Sequence, residues 1–449
     1  MNLRNIGKLC LAAALLFIAL QFVHPAIPSR PPTAEMAVPP DVEKILQRSC
    51  ESCHSDQTHL AWFDQVAPAY WLVRQDVLTA REHLNFSTLG AKPPAVQKGK
   101  LYEAVNMMQL GAMPLPQFTA LHPEARLTSE DLATLKAWLS PWPALPVQTN
   151  VPQPLMPLAS SAVHPEFNGL PFDAPAHWKL VTLTDRGDNN TFRFVLGNEI
   201  ALQAMASGHI SPWPDGTRFA KIAWKKQVGA DGIVRPGDFV QVELMVKDAQ
   251  RFKSTDGWGW GRWLGPNLKP YGNDAHFVNE CTGCHLPVRG DDSVYTLPIT
   301  PARVDGNEIV NNRAAALPAG LPYPPLGWKP LTLFVDPKTL TITALLGNEQ
   351  AARAADAWSV DANHASGPDY AAGSVLALVT WAERDDPHWF GARIPDLPLS
   401  VEFVRVDGGK PDSYRRFAGP SLAEQHPDAQ AGMQQAHAIR ALVPAVLPW

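Results

Sequence analysis

The chain passes through three kinds of hydrophobic pattern. The first is an uncharged, mostly apolar run, Leu9–Val23, behind Arg4 and Lys8. A positive start followed by such a run has the form of an export signal. It is short for a spanning helix, which needs about twenty residues. Phe22-Val23-His24-Pro25 is a poor cleavage site, so a cleaved signal and a retained anchor both stay open. Either one exports the rest, which places it in the periplasm. Ile27–Pro40, rich in proline and polar residues, reads as a tether.

The second pattern is helical. Val42, Ile45 and Leu46 recur at helical spacing within Asp41–Cys50. Thr128-Ser129-Glu130-Asp131 predicts another helix start, with Thr128 as cap, and Leu132, Leu135, Trp138 and Leu139 give that helix its apolar face. Ser140–Ala162 then carries Pro141, Pro143, Pro146, Pro152, Pro154 and Pro157, an extended linker.

The third pattern is β-rich. Leu180–Leu183, Thr191–Leu196, Phe219–Trp224 and Phe239–Val246 are short runs bounded by Gly, Pro, Asp and Asn, with a helix expected over Glu199–Ala206. This pattern occurs twice. Trp178-Lys179-x-x-Thr182-Leu183 returns as Trp328-Lys329-x-x-Thr332-Leu333, and Leu196-Gly197-Asn198-Glu199 as Leu346-Gly347-Asn348-Glu349, both at an offset of 150. Arg262-Trp263-Leu264-Gly265-Pro266 returns as Arg416-Phe417-Ala418-Gly419-Pro420. A helix is expected over Glu349–Ala357 in the second copy.

Composition narrows the class. A 45% hydrophobic content allows a sizeable core, and 44 prolines favour loops and edge strands over helical arrays. Net charge is −5, so no basic field points to nucleic acid.

The chemistry lies in Cys50-Glu51-Ser52-Cys53-His54 and Cys281-Thr282-Gly283-Cys284-His285. This is the c-type haem attachment spacing: two thiols form thioethers and the adjacent histidine reaches the iron. The other cysteine, Cys10, sits in the apolar run. Two c-type haems are expected, with no zinc and no nucleotide. For the first haem, Met113 in Gly111-Ala112-Met113-Pro114 is the candidate distal ligand, with His83 as rival; His59 and His122 read as surface residues. Histidine–methionine ligation raises the potential and closes the iron to substrate. In the second copy the place of the motif reads Met433-Gln434-Gln435-Ala436-His437, without cysteines, so a structural or docking role fits it better than noncovalent haem on His437.

Ser49–Ser55, Val66–Leu72, Arg81–Ser87, Met113-Pro114 and His122–Ala125 resemble the haem-binding domain family of exported bacterial proteins. Trp213–Thr217, Lys221, Phe239–Asp248, Thr255–Trp263 and Glu280–Pro287 resemble cytochrome P-460. That resemblance implies a β-rich fold, an open haem on His285, a bond from Lys221 to the haem edge, and oxidation of hydroxylamine. The sister family, cytochrome c′-β, lacks the lysine bond and binds nitric oxide. Lys221 is replaced by Leu378 in the second copy, so its site is expected to be buried. Arg193 and Glu243 lie on candidate pocket strands for proton movement; Glu402, the counterpart of Glu243, favours a structural role for the latter.

The expected architecture is multidomain α plus β. Residues 1–35 are signal or anchor and tether, and 36–145 an all-α cytochrome c-like domain. Residues 146–163 are the linker, 164–302 a β-rich cytochrome P-460-like domain, and 316–449 its degenerate repeat. Expected partners are a small nitrogen compound or gas ligand, a soluble or membrane electron-transfer partner and a second copy of the chain. A pure electron carrier would need a sixth ligand at His285, for which His209 and His276 are the candidates.

Overall fold

The computed structural model describes residues 3–140, 170–271, 276–304, 309–359, 367–408 and 411–449. The linker expected at 146–163 lies outside them. Two compact units divide the chain, 1–141 and 142–449.

The first unit is helical among its described residues. Its helices are α1 (Leu3–Leu20), α2 (Pro40–Ser49), α3 (Glu51–His54), α4 (Ala69–His83), α5 (Phe86–Leu89), α6 (Pro94–Gln109), α7 (Pro116–Leu121) and α8 (Ser129–Leu139). Helix α2 buries Val42, Ile45 and Leu46, the stripe its spacing predicts. Thr128 and Asp131 close the expected capping box at the start of α8. Asp131 also accepts from Arg48 at 2.6 Å, which ties α2 to α8.

The segment after α1 is not a free tether. The Gln21 amide pairs with both the N–H and the carbonyl of Ala67 (2.9 and 3.1 Å), and His24 stacks on Tyr70. Tyr70, Trp71, Arg74 and Arg81 donate to the carbonyls of Pro25, Val23, Ala26 and Pro28. Further on, the N–H groups of Thr33 and Ala34 reach the Ser87 carbonyl. A proline-rich segment leaves its carbonyls without intrachain partners, and α4 supplies donors for them. Along α1 itself Leu9, Leu11, Leu15, Leu16, Phe17 and Ile18 are exposed. Among the described residues no helix is long and apolar enough to cross a membrane.

The second unit is an antiparallel barrel made of two halves with the same element order. The first half holds β1 (Lys179–Arg186), β2 (Thr191–Gly197), α9 (Glu199–Ser207), β3 (Arg218–Val228), β4 (Val234–Lys247), β5 (Trp258–Leu264), β6 (Lys269–Pro270) and α10 (His276–His285). The second holds β7 (Lys329–Asp336), β8 (Thr341–Gly347), α11 (Glu349–Ser359), β9 (Val375–Asp385), β10 (Ala392–Arg405), β11 (Ser413–Ala418), β12 (Ala423–Gln425) and α12 (Ala429–Arg440).

The halves are not the two separate domains that the repeat suggests. Strand β4 meets β7 at Val234–Val335, and β10 meets β1 at Asp185–Arg393 and Arg186–Ala392. These joints close β1-β2-β3-β4-β7-β8-β9-β10 into one ring. One core contains residues of both halves, including Leu183, Phe192, Ile222, Trp224, Leu333, Ala344, Trp381 and Val401. The physical reason is that each half has one apolar sheet face, and the other half covers it.

The chain crosses over to complete the packing. Trp224 Nε1 donates to the Val446 carbonyl at 2.8 Å, and Trp381 Nε1 to the Ala315 carbonyl at 2.9 Å. Bulges fall at Val181 in β1 and Leu331 in β7. Each bulge carbonyl accepts from a following segment, Ile299 N–H at 2.9 Å and Ala445 N–H at 2.8 Å.

Charge is buried near the β1–β10 joint. Lys226 pairs with Asp185, and Arg393 lies 3.7 Å from Glu383. Burial pushes the Glu383 carboxyl up to about 8, with Asp185 adding to it against Arg393 and Lys226. A carboxyl with a raised folded-state pKa stabilises the fold below its unfolded pKa, and that stability is lost as pH rises through the folded value. Relative to wild type, Glu383→Gln is therefore expected to gain stability from about pH 5 to about pH 8. Urea denaturation across that range measures the difference.

Candidate functional site

In the first unit, Cys50 ends α2, and the turn that follows is held by His54 N–H donating to the Cys50 carbonyl at 2.9 Å. His54 Nδ1 lies 2.9 Å from the Leu84 carbonyl and 3.1 Å from that of Ala80. A ring nitrogen facing two carbonyls carries the proton, which leaves Nε2 as the free lone pair. Burial lowers the His54 pKa, opposed by those two bonds. Burial also raises the Cys50 thiol to about 12 and the Cys53 thiol to about 11. Neutral thiols and a neutral imidazole result, the states from which thioethers and an iron–nitrogen bond form.

The loop behind the motif is fixed by α4 and α5. Arg81 donates to the Ser55 carbonyl and Thr58 Oγ1, both at 2.7 Å, and Asn85 donates to Asp56 at 2.8 Å. Met113 is half-buried; His83 and His59 are exposed. His122 is not the surface residue its polarity suggests. It is buried, with Nε2 3.0 Å from Asp64 and Nδ1 3.2 Å from Glu124. Both ring nitrogens face carboxylates, so His122 is a structural contact.

In the second unit the site is one face of the β2-β3-β4-β5 sheet. The register places Val195, Lys221, Glu243 and Arg262 in one row across it. Arg193, Ala223 and Gln241 lie in the next row, as period-two alternation requires. Lys221 pairs with Glu243. Arg262 Nε meets Glu243 at 2.8 Å, and Gln241 donates to it at 2.7 Å. Burial drops the Lys221 amine to about 8 against the attraction of Glu243. Burial would raise Glu243, but Lys221 and Arg262 bring it down to about 2. The row therefore holds a permanent carboxylate beside an amine that is part neutral near pH 7. Arg193 is pulled down by burial and by Arg186, and its Nε is buried without a hydrogen-bond partner.

Helix α10 brings the second motif to this face. His285 packs on Trp260 with ring centroids 4.4 Å apart. His285 Nδ1 lies 2.7 Å from the Ser293 carbonyl, so Nε2 is again the free nitrogen. Burial drops the His285 imidazole to about 4, so it is neutral at pH 7. Burial raises the Cys281 thiol to about 12, with Arg262 opposing. Asp292 and Ser293 have φ of 52° and 63°, a costly backbone for non-glycine residues. The Asp292 carboxylate accepts from Trp213 N–H at 2.8 Å and Lys247 Nζ at 2.5 Å, and its carbonyl from Trp258 Nε1 at 2.8 Å. These three bonds hold the turn that presents the Ser293 carbonyl to His285. Sequence reasoning missed this clamp, although Trp213, Lys247 and Trp258 all lie in stretches it had singled out.

The corresponding row in the second half reads Leu345, Leu378, Glu402 and Arg416. There an apolar cluster fills the face: Leu345, Leu376, Leu378 and Val404 pack with Ala436 and Ile439 of α12. His437 is exposed on the other side of that helix. A haem on His437 therefore has no place on this face. His209 is exposed as well; the side chain of His276 lies outside the described residues.

The first half fits a haem on several independent grounds. No disulfide joins the motif cysteines, each motif histidine has one nitrogen engaged and one open, and the row next to Lys221–Glu243–Arg262 holds the unpartnered Nε of Arg193. This combination defines a haem cytochrome. Comparison with protein families agrees: residues 13–141 match the haem-binding domain and residues 176–296 match cytochrome P460. The chain thus joins a haem-binding domain to a cytochrome P460 domain. No curated protein matches it.

Glu243 holds two cations together, so its loss removes the partner of Lys221 and leaves Arg262 its longer contact with Glu280. Glu243→Gln is expected to cost about 3 kcal/mol of stability. Denaturant unfolding of the purified protein checks this, and a loss under about 0.5 kcal/mol would contradict the pairing.

Proposed function

We propose that the chain is an exported cytochrome with two c-type haems, one on Cys50, Cys53 and His54 and one on Cys281, Cys284 and His285. It oxidises hydroxylamine or a similar small nitrogen compound at the His285 site and passes the electrons to the His54 haem, and from there to a soluble or membrane partner. The observation that carries this reading is Lys221 in the row beside His285, at the position where the second half has Leu378 packed in an apolar cluster. That second half is a degenerate cytochrome P-460 repeat which has lost the motif and filled the site.

The bound haem supplies the redox centre at which the substrate is oxidised. The residues around it have separate tasks. Neutral His285 offers Nε2 to the iron, and the Ser293 carbonyl fixes its ring. Lys221, its amine lowered by burial, would lie at the haem edge, the position at which the resemblance to cytochrome P-460 implies a lysine bond. Glu243, kept ionised by Lys221 and Arg262, accepts hydrogen bonds from the substrate's N–H and O–H groups, and Arg262 keeps its position. Arg193 Nε, which lacks a partner, faces developing negative charge. In the first unit Met113 closes the other iron, and exposed His83 is the weaker alternative.

Export is supported by the apolar helix behind Arg4 and Lys8. The docking of residues 21–34 on α4 favours a retained helix over cleavage inside that stretch. The match to the haem-binding domain also begins within the helix.

Peptide mass spectrometry of the digested holoprotein tests the reading. A conjugate of haem, the Cys281–His285 peptide and the Lys221 peptide is the expected result. A free Lys221 peptide would favour the second reading, capture of nitric oxide as in cytochrome c′-β. The same digest should contain the residues before Gln21; their loss would remove the anchor. Met113→Ala is expected to abolish the thioether–iron absorption band of the first haem, whereas His83→Ala should leave it intact.

A further inference from the structure

The second half has a turn, Asp386–Gly391, between β9 and β10 that reaches across the β1–β10 joint to the His285 motif. Its contacts converge on one residue, Tyr295. Tyr295 packs its ring edge-on against His285, centroids 5.1 Å apart, and its hydroxyl donates to the Cys284 carbonyl at 2.6 Å. From the other side His388 Nδ1 donates to the Tyr295 carbonyl at 3.0 Å, and the Trp389 ring lies edge-on to Tyr295 at 5.3 Å.

The turn is itself anchored. Trp389 carries the Arg186 guanidinium 4.4 Å above its ring and donates from Nε1 to Asp188 at 3.2 Å. Arg186 in turn donates to Asp188 at 2.7 Å, and the Gly391 carbonyl accepts from Gly187 N–H at 2.8 Å. Gly391 sits at φ 86°, which only glycine adopts without cost. His388 is buried, its N–H taken by Asp386 at 2.9 Å. A turn needed only to join two strands would not bury a histidine and place a tryptophan against the neighbour of a motif histidine.

We propose that His388 and Trp389 are positioning residues for the His285 haem, acting through Tyr295. The half that carries no motif thus sets the orientation of the proximal ligand in the half that does. Outer contacts of a ligand histidine fix its ring and tune the metal it holds. This inference rests on the reading of a haem at Cys281–His285.

The test is a spectroscopic redox titration of the full-length holoprotein, in which the His54 haem serves as an internal control. In Trp389→Ala the ferric-to-ferrous ratio of the His285 haem, at an ambient potential that half-reduces it in wild type, is expected to change about threefold or more. The His54 haem should titrate as in wild type. Trp389→Phe keeps an aromatic edge against Tyr295 and should restore most of the shift. His388→Ala, which removes the hydrogen bond to Tyr295 and a 3.9 Å contact with Asp291, should move the same haem in the same direction by less. If Trp389→Ala does not accumulate, His388→Ala answers by the same criterion.

A variant that carries both haems and titrates like wild type would overturn the positioning role, even with a lowered melting temperature. A wild-type preparation without haem on the Cys281–Cys284 peptide would overturn the haem reading and this inference with it.

Discussion

An antiparallel sheet with one apolar face is stable only when something apolar lies against that face. In this protein the cover for each half is the other half. Trp224 and Trp381 both lie in the shared core, and each buried indole finds its acceptor in the segment that follows the opposite half. The site depends on this arrangement, because with the inner faces committed to the core, the outer face of β2–β5 is free to carry Lys221, Glu243, Arg262 and Arg193. The long strands β4 and β10 serve both purposes. Their first residues close the ring, and their later residues build the outer face with β5 and β11.

Comparing the two outer faces separates what the fold needs from what the chemistry needs. The Glu–Arg register pair occurs in both, as Glu243–Arg262 and Glu402–Arg416. It belongs to the fold, whether or not the half has a motif. Lys221 does not: its counterpart is Leu378. The aromatic position next to the pair also differs. Tyr414 donates its hydroxyl to Glu402, whereas Trp260 has no hydroxyl and packs on His285. Glu243 is thereby left to Gln241, Arg262 and Lys221, which makes it a polar group directed into the site and not only a structural one.

Much of this was legible in the sequence, and for local reasons. The motifs are contiguous, the strand runs follow period two, and the repeat shows at an offset of 150 that drifts to 154 at Arg262 and Arg416. Strand β3 exposes the faces its alternation predicts. What could not be read depends on distance along the chain. Asp64 buries His122 from 58 positions away, and Tyr295 meets His388 across 93. Likewise, nothing local states that two repeats share one core. The exposure of His437 also had a local signal. Gly432, Ala436 and Ile439 are spaced as the buried stripe of α12, which turns His437 to solvent.

The crossing of the C-terminal segment onto Trp224 has a consequence for how the protein is made. A chain synthesised from its N-terminus presents Cys281 and Cys284 well before Val446 exists. Until then the first half has an uncovered apolar face and no closed ring. Cys281 is buried in the finished barrel and Cys284 half-buried, so both thiols are more accessible while the molecule is half-built. Order along the chain, and not only the final geometry, thus separates the motif from the segment that completes the core: Cys281 precedes Val446 by 165 residues.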